Sequence, residues 1–366
     1  MPLGPFALQW RAPRQNPPQG YPLPEGILRS YIEAPSGPLE LLSAIPAKVS
    51  NQTPLFFQHG GFGCAEIWLS FLQYYSSRGI PCYALSVRGH GNSWYQGFWR
   101  MYFTTRARFA EDVVTSIEHV EALERKRRGN EEKVKVVLVA HSAGGALSQY
   151  ILSRGMAKVQ GFCMFAAVPG FGSASCYNFW ALTAPLHFPY RLFHPRYILA
   201  NTKQVHEAFF MPSTPTSVVK HLERLLSPYE SMLWPMQMIP RVVTGPDVLS
   251  SIVGWSPRQF SKAKQHDDSP AGVAPRLLVL AAEHDVLCTP ALSLDAAQRY
   301  RVAFQDLAGK KKLEGISSGD LRTQREQGSE WDGVAFKVVP GVAHHMQNEV
   351  EWEKGAMEVL AWSEQL

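Results

Sequence analysis

The chain has 366 residues, of which 45% are hydrophobic, so it can form one large core and a smaller additional unit. Its formal net charge of +5 is small for this length and gives no support for a nucleic-acid partner. We find no apolar run as long as a membrane span and no signal-peptide pattern. Five cysteines at irregular spacing favour reduced thiols, and we therefore expect a cytoplasmic protein.

The first predicted elements are two strands, near 27–33 and 39–44, which a turn containing proline and glycine joins as a hairpin. Strands and helices then alternate: a strand ending at 57, a helix over 65–77, a strand over 81–87, a helix over 105–127 and strands over 134–139 and 159–167. Two further strands are predicted over 276–282 and 334–339. This alternation predicts a mostly parallel sheet with helices on both faces.

The predicted strand 134–139 leads into Ala140-His141-Ser142-Ala143-Gly144, close to the Gly-x-Ser-x-Gly pattern of a nucleophile elbow. Such a strand–turn–helix unit lifts a serine oxygen above the edge of the sheet. Ser142 is therefore the candidate nucleophile. The two residues that follow it, Ala143 and Gly144, are small, which suits a tight turn and a closely packed helix.

A serine is a weak nucleophile, so it needs an imidazole base and a carboxylate that orients the imidazole. Asp285 follows the strand 276–282 and is the predicted acid, with Glu283 as the alternative. His344 follows the strand 334–339 and a short turn, and it is the predicted base, with His345 as the alternative. The order Ser, acid, His is the one that an elbow-type hydrolase uses.

The glycine-containing segment 59–63 follows another strand and can bring backbone N–H groups close to a reacting carbonyl. We assign one oxyanion donor to Gly61, with Phe62 as the near alternative, and the second to Ala143. The histidines beside these donors, His59 and His141, are interpreted as structural. The segment lacks the spacing of a dinucleotide or P-loop motif, and we predict neither a cofactor nor a metal site.

These blocks together resemble the α/β-hydrolase superfamily, particularly its capped esterase, lysophospholipase and monoacylglycerol-lipase-like branch. The resemblance extends from about Pro54 to the C-terminus. It rests on His59-Gly60-Gly61, on the segment 86–93 (Ser-Val-Arg-Gly-His-Gly-Asn-Ser), on Ala140–Gly144, on Glu283-His284-Asp285 and on Gly341–His344. The family usually has aspartate where this chain has Ser86. The resemblance implies an α/β-hydrolase fold with a helical cap inserted before the acid-bearing strand.

The alternation of strands and helices stops after the strand 159–167, where this family usually carries its cap. We therefore predict a core of residues 1–171 and 272–366 and a cap of residues 172–271. The cap segment is rich in aromatic and methionine residues, and 217–226 has the spacing of an amphipathic helix. Phe179, Trp180 and Trp234 are predicted to bind substrate, although many such aromatics only hold a cap together.

We predict a serine hydrolase that cleaves an ester, thioester or lactone of a fairly large apolar small molecule, such as a lipid or secondary metabolite, through an acyl-enzyme. Two alternatives stay open. One is a non-hydrolytic enzyme on the same triad, namely an acyltransferase, a carbon–carbon hydrolase, a lyase or a cyclase. The other is a ligand receptor descended from a hydrolase, without turnover. The sequence gives no indication of the oligomeric state.

Overall fold

The computed structural model describes residues 15–48, 51–129, 133–257, 272–316, 318–321 and 333–366. Parts of both predicted domains lie outside these ranges, namely residues 1–14, 49–50, 130–132, 317 and 322–332 of the core and 258–271 at the end of the cap.

Eight strands form one sheet in the order β1-β2-β4-β3-β5-β6-β7-β8. β1 and β2 are an antiparallel hairpin, β2 also pairs antiparallel with β4, and all other neighbours are parallel. The strands are β1 Ile27–Ala34, β2 Gly37–Ala44, β3 Leu55–Gln58, β4 Cys82–Leu85, β5 Val137–His141, β6 Gly161–Phe165, β7 Leu277–Ala282 and β8 Val334–Val339. The predicted hairpin and the mostly parallel sheet are confirmed.

Helices cover both faces of the sheet. The helices outside the segment between β6 and β7 are α1 Leu69–Ser76, α2 Phe98–Tyr102, α3 Arg106–Arg128, α4 Ser142–Ser153, α10 Pro290–Gly309 and α11 Trp352–Ser363. α3, α4 and α10 contribute to one buried hydrophobic cluster, and α1 and α11 contribute to a second. None of the helices in the described ranges combines the length and the apolar character that a bilayer crossing requires.

Several predicted elements have other bounds than the observed ones; for example, the strands predicted over 81–87 and 159–167 are shorter, as β4 and β6. The predicted helix 65–77 begins as a separate 3-10 turn, Ala65–Trp68, before α1. The predicted strand 134–139 starts later and ends later, as β5. Pairing with the adjacent strands determines where β5 begins, because Val137 pairs with Leu55 of β3 and with Gly161 of β6.

The segment between β6 and β7, residues 166–276, is an insertion that adds no strand to the sheet within its described part. Its helices are α5 Ala184–Tyr190, α6 Thr202–Phe209, α7 Thr216–Leu225, α8 Leu233–Met238 and α9 Gly245–Leu249, with 3-10 turns at Ala174–Trp180 and Pro195–Ile198. α7 corresponds to the amphipathic helix predicted over 217–226. Its buried residues Val219 and Leu222 join the same cluster as α1 and α11.

Candidate active site

Ser142 lies at the sharp turn between β5 and α4. Its φ is 51°, in the left-handed region that non-glycine residues rarely adopt. The turn is crowded, since a methyl group on Gly60 would lie 2.7 Å from Ser142 Cβ. A methyl group on Gly144 would lie 2.1 Å from the carbonyl oxygen of His59. Small residues at these positions therefore let α4 start directly against the loop that follows β3.

A chain of hydrogen bonds joins Ser142, His344 and Asp285, whose residues follow β5, β8 and β7. Ser142 Oγ lies 2.9 Å from His344 Nε2, and His344 Nδ1 lies 2.7 Å from Asp285 Oδ2. Asp285 Oδ1 accepts the backbone N–H groups of Leu287 and Cys288, both at 2.8 Å. The carboxylate is thus held on both oxygens and is buried. This fixes the orientation of the imidazole towards the serine.

The two alternative residues have other partners. Glu283 Oε2 accepts the N–H of Gly341 at 2.8 Å, and its carboxylate is half-exposed. His345 is buried, and its ring packs 5.2 Å from that of Phe209. The backbone N–H of His345 donates to the backbone carbonyl of Phe209. Within the described residues, neither side chain joins the hydrogen-bond chain of Ser142.

A mostly apolar cavity of about 330 Å³ opens above Ser142 and Ala143. Trp180 and Trp234 of the insertion line it, whereas Phe179 does not. Phe179 is partly exposed and makes an edge contact with Trp180, with ring centroids 5.6 Å apart. The cavity volume falls at the lower end of the range for small-molecule sites.

The three residues predicted as oxyanion donors, Gly61, Phe62 and Ala143, all contribute to the lining of this cavity. Ala143 stands in the first turn of α4, whose N–H groups have no acceptor within the helix. The Phe62 N–H already donates to Glu230 Oε2 at 2.8 Å. Among the described residues, the Gly61 N–H has no hydrogen-bond acceptor.

Glu230 is a fully buried carboxylate in the insertion. Its Oε2 also lies 3.1 Å from His90 Nε2, and its Oε1 accepts N–H groups from Ser231 and Trp234. Burial raises the pKa of Glu230, but His90 and the N–H donors outweigh it and leave a pKa below the usual range. Burial likewise lowers the pKa of His90, and the carboxylate more than reverses this, so that its pKa is raised. The two groups therefore form a buried ion pair.

Three further buried histidines surround the predicted nucleophile, and each is kept neutral. Burial, followed by the charge of His90, lowers the pKa of His59 to about 3. Burial also holds the pKa values of His141 and His345 well below the usual range, and neighbouring imidazoles add to the effect. His141 Nε2 bonds the carbonyl of His344 at 3.0 Å, which fits its predicted structural role.

One group of side chains in the described ranges could approach a metal ion together. The ligand atoms of Asp285, Cys288 and His344 lie within 4.8 Å of one another. Both oxygens of Asp285 are already engaged, and its bond to His344 would have to break. A hydrogen bond with Cys176, followed by burial, raises the pKa of Cys288 well above the usual range, which disfavours the thiolate that a metal needs.

Glu230 and His90 are site residues that sequence reasoning missed. One sequence signal could have pointed to Glu230, since it is the only acidic residue between positions 224 and 246. An isolated acid in an otherwise apolar stretch needs a buried partner when the segment packs against a core. That partner, His90, lies 140 positions away in the chain.

The sequence profile of the alpha/beta hydrolase family matches residues 55–351, which include the strands from β3 to β8, the elbow and the residues after β7 and β8. The chain belongs to the alpha/beta hydrolase family. The predicted fold class is thereby confirmed. This membership supports the prediction of an ester-hydrolase-like enzyme. It does not identify the capped esterase, lysophospholipase and monoacylglycerol-lipase-like branch.

Solved structures of esterases and of an enol-lactonase are similar to this chain over nearly its whole length. An esterase from Thermogutta terrifontis is 15% identical, with a TM-score of 0.57 over 92% of this chain and 97% of that chain. Carboxylesterase CesB from Bacillus subtilis is 16% identical, with a TM-score of 0.54 over 93% and 92%. An enol-lactonase from Burkholderia xenovorans LB400 is 11% identical, with a TM-score of 0.55 over 91% and 99%. At these identities the similarity establishes the fold.

The departure from the alpha/beta hydrolase pattern at Ser86 has a structural counterpart. Ser86 Oγ donates to Glu40 Oε2 at 2.7 Å and accepts the N–H of Ala65 at 2.8 Å. Glu40 also accepts the backbone N–H of Asn92 and pairs with Arg29. A carboxylate from β2 thus lies beside the position where the family usually has one.

Proposed function

We propose that the protein is a serine hydrolase that cleaves an ester, thioester or lactone bond of an apolar small molecule. The observation that supports this most directly is the hydrogen-bond chain Asp285–His344–Ser142, with distances of 2.7 and 2.9 Å, at the floor of an apolar cavity. A nucleophile, a base and an orienting carboxylate in this geometry are what acyl transfer requires.

In the proposed mechanism, His344 takes the proton of Ser142 while the serine oxygen attacks the carbonyl carbon. Asp285 holds the imidazole in the tautomer that presents Nε2 to the serine, and it stabilises the imidazolium that forms. The N–H groups of Gly61 and Ala143 donate to the oxygen that becomes negative. His344 then protonates the leaving alcohol, thiol or ring oxygen. Water attacks the acyl-enzyme by the same route and releases the acid.

The proposed substrate is apolar because the cavity offers few polar partners. Trp180 and Trp234 provide large apolar surfaces, and the Trp234 Nε1–H is already bound to Glu230. We also propose that the insertion acts as the cap, and the support for this is that these two residues line the same cavity as Ser142. Burial of an acyl chain or ring against them would supply most of the binding energy.

The test is labelling with a fluorophosphonate probe, combined with the hydrolysis of aryl esters. We expect the wild type to be labelled and active, and Ser142→Ala to lose both. Removal of the nucleophile leaves only a residual rate of about 10³- to 10⁴-fold over water. Ser148→Ala is the matched control, because Ser148 is a buried serine on the same helix whose hydroxyl has no hydrogen-bond partner among the described residues.

A wild-type protein that resists the probe and binds an apolar ligand without turnover would contradict the proposal and favour the receptor alternative. Near-normal hydrolysis by Ser142→Ala would exclude the acyl-enzyme. Product analysis in water against added alcohol or amine would separate a hydrolase from an acyltransferase.

A further inference from the structure

The insertion binds the loop of residues 59–63 at one residue, Phe62. The Phe62 N–H donates to Glu230 Oε2 at 2.8 Å, and the Phe62 carbonyl accepts the N–H of Ser227 at 2.7 Å. Both backbone groups of Phe62 are therefore held by one short segment, residues 227–230. Ser227 Oγ in turn donates to the carbonyl of Gly89 at 2.9 Å, which anchors this segment to the core.

Phe62 needs such support because its backbone is strained. Its φ is 61°, in the left-handed region, where a bulky side chain is rare. A non-glycine residue in this region is strained and persists only where its surroundings hold it. The adjacent Gly61 lines the cavity, and a methyl group on it would lie 3.6 Å from Glu230 Oε2. Bonds that hold Phe62 therefore hold the chain directly after Gly61 and restrict the movement of the 59–63 loop.

Glu230 has no free capacity to act on a substrate. A carboxylate offers about four lone-pair sites. Here its oxygens meet four donors, namely Phe62 N–H, His90, Ser231 N–H and Trp234. The side chain is 4% exposed, so water does not compete for these bonds. These contacts fit a charged side chain that holds the 59–63 loop, and they do not fit a catalytic base.

We propose that Glu230 is a positioning residue that holds the 59–63 loop through the Phe62 N–H, so that Gly61 and not Phe62 is the oxyanion donor. This inference rests on the proposed function and deepens it. The insertion then does more than enclose the substrate, because it also sets the geometry of the loop that stabilises the transition state. His90 acts one step further away, since it supplies the positive charge beside the Glu230 carboxylate.

The test compares Glu230→Gln with Glu223→Gln. The amide of Glu230→Gln keeps the size of the side chain but loses the charge and turns two acceptor sites into donors. We expect kcat to fall by at least about tenfold, up to the roughly 10³-fold that loss of an oxyanion donor costs. KM for the same aryl ester should change less than about threefold, since Glu230 lines the cavity but glutamine keeps the size of its side chain, and the apolar residues of the lining are unchanged. A merely structural role would lower the amount of folded protein without such a split.

Glu223→Gln is the matched control. Glu223 is also a buried carboxylate of the insertion, but it accepts a hydrogen bond from Thr202 and does not line the cavity. We expect its kcat to stay within about threefold of the wild type. A Glu230→Gln variant that kept wild-type kcat, or that matched Glu223→Gln, would overturn the inference.

A second measurement does not depend on activity. Hydrogen–deuterium exchange of a peptide that covers residues 59–63 should become faster in Glu230→Gln and stay unchanged in Glu223→Gln. Unchanged exchange in Glu230→Gln would overturn the inference even in an inactive protein. If the wild type is active and depends on Ser142 while Glu230→Gln behaves normally, the inference fails and the proposed function stands. If the wild type lacks activity that depends on Ser142, the proposed function fails.

Discussion

Two histidines follow one another after β8, and only His344 bonds Ser142. Its neighbour His345 is packed against Phe209 and is kept neutral by burial, which lowers its pKa. Two acids stand two positions apart after β7, and only Asp285 bonds His344. At the scale of single residues, the chemistry proposed here therefore depends on a difference of one or two positions.

We expect Asp285→Asn and His344→Ala each to lower kcat by roughly 10³- to 10⁶-fold, because the serine loses its oriented base. Either change combined with Ser142→Ala should add little, since the three residues act as a unit. The measurement is steady-state hydrolysis of an aryl ester.

The matched controls for this prediction are Glu283→Gln and His345→Gln, which we expect to stay within about tenfold of the wild type. Glu283 accepts one backbone N–H at a turn, and His345 does not reach Ser142. If Glu283→Gln lowered kcat more than Asp285→Asn, the acid would be assigned to the wrong position. If His345→Gln lowered kcat more than His344→Ala, the base would be.

At the scale of elements, the junction of β5 and α4 depends on a close approach to the loop after β3. Gly144→Ala would place a methyl group 2.1 Å from the His59 carbonyl oxygen, so backbone must move. We expect the free energy of unfolding to fall by about 1–3 kcal/mol, as for overpacked sites, and kcat to fall because Ser142 and Gly61 shift apart. Urea denaturation and ester hydrolysis measure the two effects.

Gly309→Ala is the matched control for the junction. Gly309 ends α10, and a methyl group there would meet no atom within 4 Å. We expect its stability to be unchanged or to rise by up to about 1 kcal/mol, because alanine restricts the unfolded chain. Equal stability of the two variants would show that the close approach at Gly144 is not a constraint.

The apolar lining that the insertion contributes to the cavity leads us to predict a preference for larger substrates. Each methylene of an acyl chain that is buried in the cavity is worth about 0.8 kcal/mol, so kcat/KM should rise from acetate towards medium chains. Trp180→Ala should weaken long esters more than acetate, because Trp180 lines the cavity. Phe179→Ala should leave the profile unchanged, since its side chain lies outside the lining. A flat chain-length profile in the wild type would argue for a small or polar substrate.

At the scale of the whole molecule, buried histidines couple stability to pH. The pKa of His59 is lowered to about 3, and those of His141 and His345 lie well below the usual 6.5. Below pH 6.5 the unfolded chain takes up protons that these folded histidines do not, which destabilises the fold by up to about 1.4 kcal/mol per histidine and pH unit. His90 acts oppositely, because its raised pKa gives a contribution that is full below pH 6.5 and is lost as pH rises through the folded value.

We therefore expect a net loss of stability between pH 6.5 and pH 5, with a pH dependence that approaches that of three histidines, because the contribution of His90 is already complete in this range. Glu230 does not change this slope, since its lowered pKa gives a contribution that is present above its usual value near 4.5 and is lost only in stronger acid. Urea denaturation at pH 7, 6 and 5 measures the slope, and His59→Gln should reduce it by about one histidine. A pH-independent unfolding free energy would contradict the prediction.

The sequence alone determined the strands of the sheet, their order and the larger helices of the core. Periodicity and turn residues are local, so the hairpin, the amphipathic helix and the strands that precede Ser142, Asp285 and His344 could be recognised in place. The ends of β5 could not, because they are set by pairing with β3 and β6. Local pattern fixes the type of an element, and its neighbours fix where it ends.

Only the tertiary structure decided which of adjacent candidates meet. Glu230 bonds a backbone N–H that lies 168 positions away, and His344 bonds a serine 202 positions away. Such contacts depend on the path of the whole chain, so motif order could propose His344 as the partner of Ser142, but only the fold brings the two within hydrogen-bonding distance. The anchor on Phe62 escaped prediction for the same reason, since a carboxylate in the insertion shows its role only when the fold brings it against the 59–63 loop.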